Sequence, residues 1–340
     1  MSEQVPPPHT GTRSTDRRIR SRLYRHGVLV AEDFPVADVS DHLGDPDAVV
    51  WVDFCAPTPE DFEQIAEELD LHDLAVEDAL KAQQRPKLDR YATHLFVTAY
   101  QVALDTSTGQ LDTSGVAAFI TPQALVTVHP RPQFAIDEVV RRWDTAEDQA
   151  KYGISFLLYG LLDHVVDSHF QAVHVLDGEI ERLEDLLFED NPQDGVVQRR
   201  SFRLRKSLVL LRRVTLPMRE VVNALMRRDL QIMDSAMLPY YQDVYDHVLR
   251  ATEWTESLRD LVTTILETNL TIQGNRLNTI MKKVTSWAAI IAVPTAITGY
   301  YGQNVPYPGF GSAVGFWTST GAIVVLSGLL YVVFRRRDWL

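Results

Sequence analysis

The sequence predicts an α+β soluble region, then long helices, then two C-terminal membrane-spanning helices, and three observations carry that prediction. Charge stops abruptly: no Asp, Glu, Lys or Arg occurs between Val284 and Phe334. Apolar, β-rich runs are confined to the stretch from Gly27 to Val128. From Ile154 onward they give way to helical periodicity with few breakers.

Residues 1–26 are expected to form a disordered N-terminal tail. Met1 to Arg22 is rich in Pro, Ser, Thr and Arg and has no apolar core, so no signal peptide is expected there. Residues 27–150 read as an α/β domain. Strands are expected at Val28–Val30, Val49–Val52, Leu95–Tyr100, Val116–Ile120 and Leu125–Val128, with helices at Pro59–Leu69 and His72–Leu80 started by Pro and Asp. Residues 151–283 read as a helical hairpin and a stalk helix. Ile154–Glu189 and Val196–Met226 are separated by the turn Asn191–Gly195, and Tyr241–Tyr301 has no proline before Pro294. Unbroken, those last 61 residues would extend about 90 Å. Residues 284–340 complete the chain as a transmembrane domain.

The net charge is −13, from 33 basic and 46 acidic residues, and the charge-free stretch assigns nearly all of it to the first 283 residues. An acidic surface repels nucleic acid and concentrates cations, so no nucleic-acid partner is expected. Cys55 is the only cysteine, which excludes an intrachain disulfide and a cysteine-based metal site and fits a reducing compartment. No enzyme is expected. The chain has no P-loop, Gly309–Gly315 follows no strand and lacks dinucleotide spacing, and no local motif suggests a nucleophile and its base. His164, His169 and His174 recur every five residues, which spreads them around a helix. Asp163 and Asp167 share a face that reads as solvated, as does the acidic cluster Asp177–Asp190.

Val284–Tyr301 offers 18 uncharged residues and Ala313–Phe334 offers 22, against the roughly 20 a helix needs to cross the hydrocarbon core. A buried soluble hairpin is the alternative. Lys282 and Lys283 precede the first span and Arg335, Arg336 and Arg337 follow the second. Basic flanks stay cytoplasmic, so a multi-pass protein of the cell membrane is expected, with both termini inside and only Gly302–Ser312 outside.

Stepping alternately by four and three from Glu267 picks out Glu267, Thr271, Gly274, Asn278, Met281, Thr285, Ala288, Ala292, Thr295, Gly299 and Gly302. All but Met281 are small, polar or flexible, while Trp287, Ile290, Ile291, Val293 and Ile297 lie between them. A 3.5-residue repeat keeps one face toward partner helices. Such a stripe suits tight helix packing in a membrane, and it also suits the wall of a narrow aqueous path. Two spans cannot enclose a path, so the second reading needs a ring of several chains. Pro294 removes one helix hydrogen bond and frees the carbonyl of Ile290.

The first span ends in Tyr301-Gly302-Gln303-Asn304. This resembles the Tyr-Gly-Met-Asn signature that the CorA family of magnesium and cobalt transporters carries between two C-terminal spans. Further similarity lies in HDLAVEDALKAQQRPKLDRYATHLF (His72–Phe96), LVTVHP, LLYGLLDHVVDSHF, YYQDVYDHVLRATEWTESLRDL and GNRLNTIMKKV, and extends from about Val50 to Leu340. The resemblance implies an αβα cytoplasmic domain in a funnel-shaped homopentamer whose long helix lines the pore. It places Gly302, Gln303 and Asn304 at the outer mouth. Asn278, Met281 and Val284 would form inner constrictions, Val284 or its neighbour Thr285 pointing inward, and Glu267 would stand at the inner end. Ala288, Ala292, Thr295 and Gly299 would complete the lining. It also implies that cytoplasmic magnesium, held between subunits by Asp243 and Asp105, closes the pore. Magnesium is then both the transported and the regulatory ion, with divalent cations and membrane lipid as partners and no other cofactor.

Neutral amide oxygens suit magnesium, which sheds water reluctantly and is held through its hydration shell. Two departures bear on ion preference: Gln303 stands where the signature has Met, and the loop Gly302–Ser312 contains no acid. The function expected is magnesium influx, with cobalt or nickel as further cargo. The alternatives are a zinc or other transition-metal transporter of the same superfamily and a non-conducting membrane-anchored scaffold or sensor.

Overall fold

The computed structural model describes residues 18–81, 85–105, 108–187, 194–227, 234–303, 306–307 and 309–340. The chain divides into two units, Met1–Thr263 and Thr264–Leu340, with the boundary falling inside one long helix.

The first unit contains seven strands: β1 (Ile19–Arg25), β2 (Val28–Glu32), β3 (Ala48–Cys55), β4 (Lys87–Arg90), β5 (Leu95–Asp105), β6 (Gln110–Ile120) and β7 (Ala124–His129). They form one sheet in the order β2-β1-β3-β7-β6-β5-β4. Only the β3–β7 pair is parallel, and these strands lie at the centre, where β7 is buried along its whole length. The period of two sends Val50, Val52, Phe54, Phe96, Phe119 and Val126 to one face and Trp51, Leu95, Val97, Ile120 and Leu125 to the other.

The first face is covered by the short helix α1 (Val39–His42) together with α2 (Pro59–Glu68) and α3 (Asp73–Leu80). Thr58 closes α2 as a capping box. Its hydroxyl accepts from the Asp61 amide at 3.2 Å, and the Asp61 carboxylate accepts from the Thr58 amide at 2.9 Å. The second face carries α4 (Ile136–Thr145), the one-turn α5 (Glu147–Ala150), α6 (Ile154–Asp185) and α7 (Asp194–Leu225), together with the start of α8 (Leu238–Tyr301). The αβα layering expected from the family resemblance is present.

The structure differs from the sequence reading at the N-terminus. Residues 19–25 are not tail but β1, hydrogen-bonded between β2 and β3. Arginines at alternate positions mimic a disordered segment, yet Arg20 pairs with Asp137, and Arg22 reaches Asp144 at 2.7 Å and Glu32 at 2.6 Å. Residues 1–17 lie outside the described residues, as do the turn residues 191–193 and the end of the acidic cluster, 188–190.

Arg142 on α4 bridges Asp163 and Asp167, so this acidic face is ion-paired rather than solvated. Burial, then the neighbouring Asp167, pushes the Asp163 carboxyl up despite that guanidinium. His164 and His169 are buried, and His174 lies outside against Trp254. His169 is fully enclosed, with Nε2 at 2.7 Å from the Tyr100 carbonyl, and burial lowers its pKa to about 4. The unfolded chain therefore takes up a proton near pH 6.5 that the folded chain refuses until about pH 4. Stability should fall as pH drops through that window, by on the order of 3 kcal/mol from this residue. Melting temperatures from pH 7 to pH 4 should show the loss, and His169→Gln should flatten it.

The second unit comprises the remainder of α8 and α9 (Ala313–Arg336). Both are long and apolar enough to cross a membrane, and the qualifying windows are only 6% and 0% buried. Phe316, Trp317, Val324, Val325 and Leu329 stand open on α9. A soluble hairpin would hide such side chains, so their exposure favours membrane spans over the buried-hairpin alternative.

Candidate functional site

From Thr264 onward α8 presents two unlike faces. Ser286 is fully covered and Ile290, Val293, Ile297 and Tyr301 are half-buried, which marks the side that the chain itself shields. The predicted stripe lies on the opposite side. Glu267, Thr271, Asn278, Met281, Thr285, Ala288, Ala292, Thr295, Gly299 and Gly302 are all exposed, and Gly274 is half-exposed.

A second repeat runs beside the stripe. Leu270, Leu277, Val284 and Ile291 recur every seven residues and are 64, 64, 58 and 63% exposed. A heptad of bare aliphatic side chains next to a heptad of small and polar ones is the pattern of a parallel helix bundle with an open centre. The sequence reading missed this seam, although its seven-residue period was there to be found. Val284 belongs to the seam and Thr285 to the stripe, so the two lie on either side of their shared border.

The threonines are already committed on their donor side. Thr271, Thr295 and Thr298 donate to the carbonyls of Glu267, Ile291 and Pro294 at 3.0, 3.0 and 2.8 Å. Their oxygens keep free lone pairs, so outward they act mainly as acceptors. The water shell of a cation points its hydrogens outward, and a wall of acceptors matches it. α8 continues through Pro294 as one helix.

At the C-terminal end of α8 Gly302 donates its amide to the Thr298 carbonyl at 2.8 Å, and a Cβ there would stand 2.9 Å from that oxygen. Only glycine allows the approach. Gln303 follows, exposed, whereas Asn304 lies outside the described residues. Aromatic rings meet beside this end of α8. Tyr307 packs on Tyr301 at 5.0 Å and on Phe310 at 5.3 Å, and its hydroxyl donates to the Tyr301 carbonyl at 3.0 Å. Gly309 and Gly315 meet so closely that a Cβ on Gly315 would lie 2.5 Å from the Gly309 carbonyl oxygen.

The two regulatory candidates sit on different elements. Asp105 ends β5, and its carboxylate accepts from the Thr108 hydroxyl at 2.8 Å. Asp243 lies on α8 with its side chain 62% exposed, 3.9 Å from His247. Among the described residues no group of three or more His, Cys, Asp or Glu could hold a metal within one chain.

Elsewhere in the first unit, a buried ion pair joins the central parallel strands. Asp53 accepts from the Thr127 hydroxyl at 2.5 Å and faces His129 Nε2 at 3.1 Å. His129 Nδ1 lies 2.9 Å from the Arg131 carbonyl. An acceptor opposite each nitrogen suits a ring that carries both protons. Burial works to lower its pKa, but Asp53 and the Arg131 carbonyl outweigh it and hold the value up.

The family model for the CorA-like Mg2+ transporter protein matches residues 46–336. The chain is 29% identical over 338 residues to the cobalt/magnesium transport protein CorA of Thermotoga maritima, covering 98% of this chain and 95% of that one. It is 26% identical to the protein of the same name from Methanocaldococcus jannaschii, over 86% of this chain and 92% of that one. The complete structure of the CorA magnesium transporter from Methanocaldococcus jannaschii superposes with a TM-score of 0.75 at 23% identity, covering 94% and 98% of the two chains.

Proposed function

Because this chain belongs to the CorA-like Mg2+ transporter family, we propose that it is one subunit of a homo-oligomeric channel for divalent cations, and that it carries magnesium inward. The observation that carries the reading is the pair of bare heptads on α8. Copies joined along Leu270, Leu277, Val284 and Ile291 turn the acceptor-lined stripe toward a shared axis. Five copies, as the family resemblance implies, would close the ring.

The path then has three zones. At its inner end Glu267 supplies carboxylates that concentrate cations. Asn278, Met281, Thr285 and the seam residue Val284 form a narrow passage before the membrane. Ala288, Ala292, Thr295 and Gly299 leave room for an ion with its water, and their walls offer only neutral oxygens. Gly302, Gln303 and Asn304 cap the outer end, where carboxamide oxygens accept hydrogen bonds from bound water without replacing it. No fixed charge lies between Val284 and Phe334 to trap the ion. Orientation follows the flanking Lys and Arg residues, which keep both termini in the cytoplasm. The membrane potential drives entry, worth about 4.6 kcal/mol for a divalent ion at 100 mV.

Asp243 and Asp105 supply the regulatory carboxylates. Bound between copies, cytoplasmic magnesium would favour the closed arrangement. Asp243→Ala should shift the magnesium concentration that halves the current upward by several-fold, with the open current unchanged. Unaltered inhibition would remove Asp243 from regulation.

Purified protein in liposomes, with uptake of magnesium, cobalt and zinc compared side by side under an inside-negative potential, tests the whole reading. Magnesium uptake that rises with potential supports it. Zinc uptake without magnesium uptake would transfer the cargo to the zinc-transporting branch. No uptake of any ion would leave a membrane-anchored scaffold.

A further inference from the structure

The C-terminal end of α9 closes in a defined turn. The amides of Asp338 and Trp339 donate to the carbonyls of Arg335 and Phe334 at 3.3 and 3.0 Å. Asp338 itself takes the left-handed conformation, with a φ of 55°. Two such bonds around one left-handed residue make a Schellman turn, which an apolar contact between the residue after the turn and the last helical turn commonly completes. Here that contact is aromatic. The Trp339 ring lies 5.7 Å from the Phe334 ring and within 7° of parallel to it. The turn therefore folds Trp339 back beside Phe334, the last residue of the charge-free stretch.

This corner is open and cationic. Arg335, Arg336 and Arg337 are all exposed. Among the described residues none of the three has a carboxylate partner, and Arg335 reaches only the Tyr331 hydroxyl, at 3.5 Å. The indole N–H of Trp339 has no acceptor among them either. Because α9 reads as a membrane span, its end lies where apolar chains give way to headgroups. Tryptophan settles at that level, with its ring in the apolar edge and its N–H toward polar oxygens. Arginine stems run along the same border, while the guanidiniums stay in the polar layer as planar forks matched to phosphate.

We propose that the end of α9 is a binding site for an anionic phospholipid. The guanidiniums of Arg335, Arg336 and Arg337 pair with the headgroup phosphate, and the Trp339 N–H donates to an ester or phosphate oxygen. Stacking on Phe334 holds the indole at the level of those oxygens. A zwitterionic lipid offers the same oxygens but carries a cation that repels the guanidiniums, so the site discriminates by charge. The proposal rests on α9 spanning the membrane and does not require conduction.

Lipid binding to the full-length protein in neutral detergent, read by native mass spectrometry, tests it with phosphatidylglycerol and phosphatidylcholine of matched chains. The unmodified protein should bind phosphatidylglycerol several-fold more tightly. Arg336→Gln combined with Arg337→Gln should lower that affinity on the order of tenfold and leave phosphatidylcholine binding unchanged. Arg335, Lys282 and Lys283 remain in this variant to keep the orientation of insertion. Arg336→Lys combined with Arg337→Lys should retain most of the preference. Trp339→Phe keeps a ring on Phe334 and removes the N–H, so it should weaken both lipids alike. Equal affinity for the two lipids in the unmodified protein, or an undiminished preference in the double glutamine variant, would overturn the proposal. So would displacement of the lipid by inorganic phosphate, which would make the corner a simple anion site. Absence of ion uptake in liposomes would remove the channel reading and leave this binding untouched.

Discussion

Replacing Asn304 with alanine should reduce magnesium uptake by an order of magnitude or more. The expectation follows from number. In the proposed ring Asn304 of each copy would add one carboxamide to the mouth beside that of Gln303, and each hydrogen bond to the ion's water shell is worth about 1 kcal/mol. Removing the whole ring at once multiplies the loss, and about 1.4 kcal/mol already gives a factor of ten. Asn304→Gln keeps the chemistry but lengthens the arm, so it should recover part of the flux. Tracer uptake into liposomes at fixed potential reads both variants. Full uptake by the alanine variant would show that the mouth does not select, and Gly302 and Gln303 would lose their assigned role with it.

The second large effect concerns stability. His129→Ala should destabilise the first unit by about 3–5 kcal/mol, the usual cost of leaving a buried charge without its partner. The side chains of Asp53 and His129 are 2% and 3% exposed, so the carboxylate is left without its charged partner in a buried site. A shift of several degrees or more in melting temperature is expected. Adding Asp53→Asn to that variant should recover much of the loss by removing the stranded charge. The pair also sets an alkaline limit. Because the folded pKa of His129 lies above its unfolded value near 6.5, its contribution is complete below that pH. It disappears as pH rises through the folded value. His169 acts on the acid side with the opposite sign, so the two residues bound the pH range of greatest stability from either end. A melting temperature insensitive to His129→Ala would mean that the pair is not charged in the folded protein.

What the sequence disclosed and what it concealed divide along sequence separation. The strands β3, β5, β6 and β7 were legible because alternation is a local pattern. The stripe on α8 was legible for the same reason, as one helix carries all of it. β1 was missed because the partners that make its arginines part of a sheet lie 117 and 122 residues away. Asp53 and His129 are 76 residues apart, and nothing near either announces the other. The short edge strand β4 has no alternation to read, and α4 was passed over because its exposed face is crowded with charge. A regulatory site built from two chains, as proposed above, would leave even weaker traces, since a single copy would show only half of the arrangement. His72 illustrates a smaller limit. It was read as the first residue of a helix but caps α3 instead, accepting from the Leu74 amide at 3.2 Å.

The contact between Gly309 and Gly315 has a consequence for the proposed mouth. A side chain on residue 315 would strike the Gly309 carbonyl oxygen, so the start of α9 tolerates no larger residue there. In the channel reading proposed above, a change of cargo would then be sought in the side chains at positions 302–304 rather than at this glycine pair.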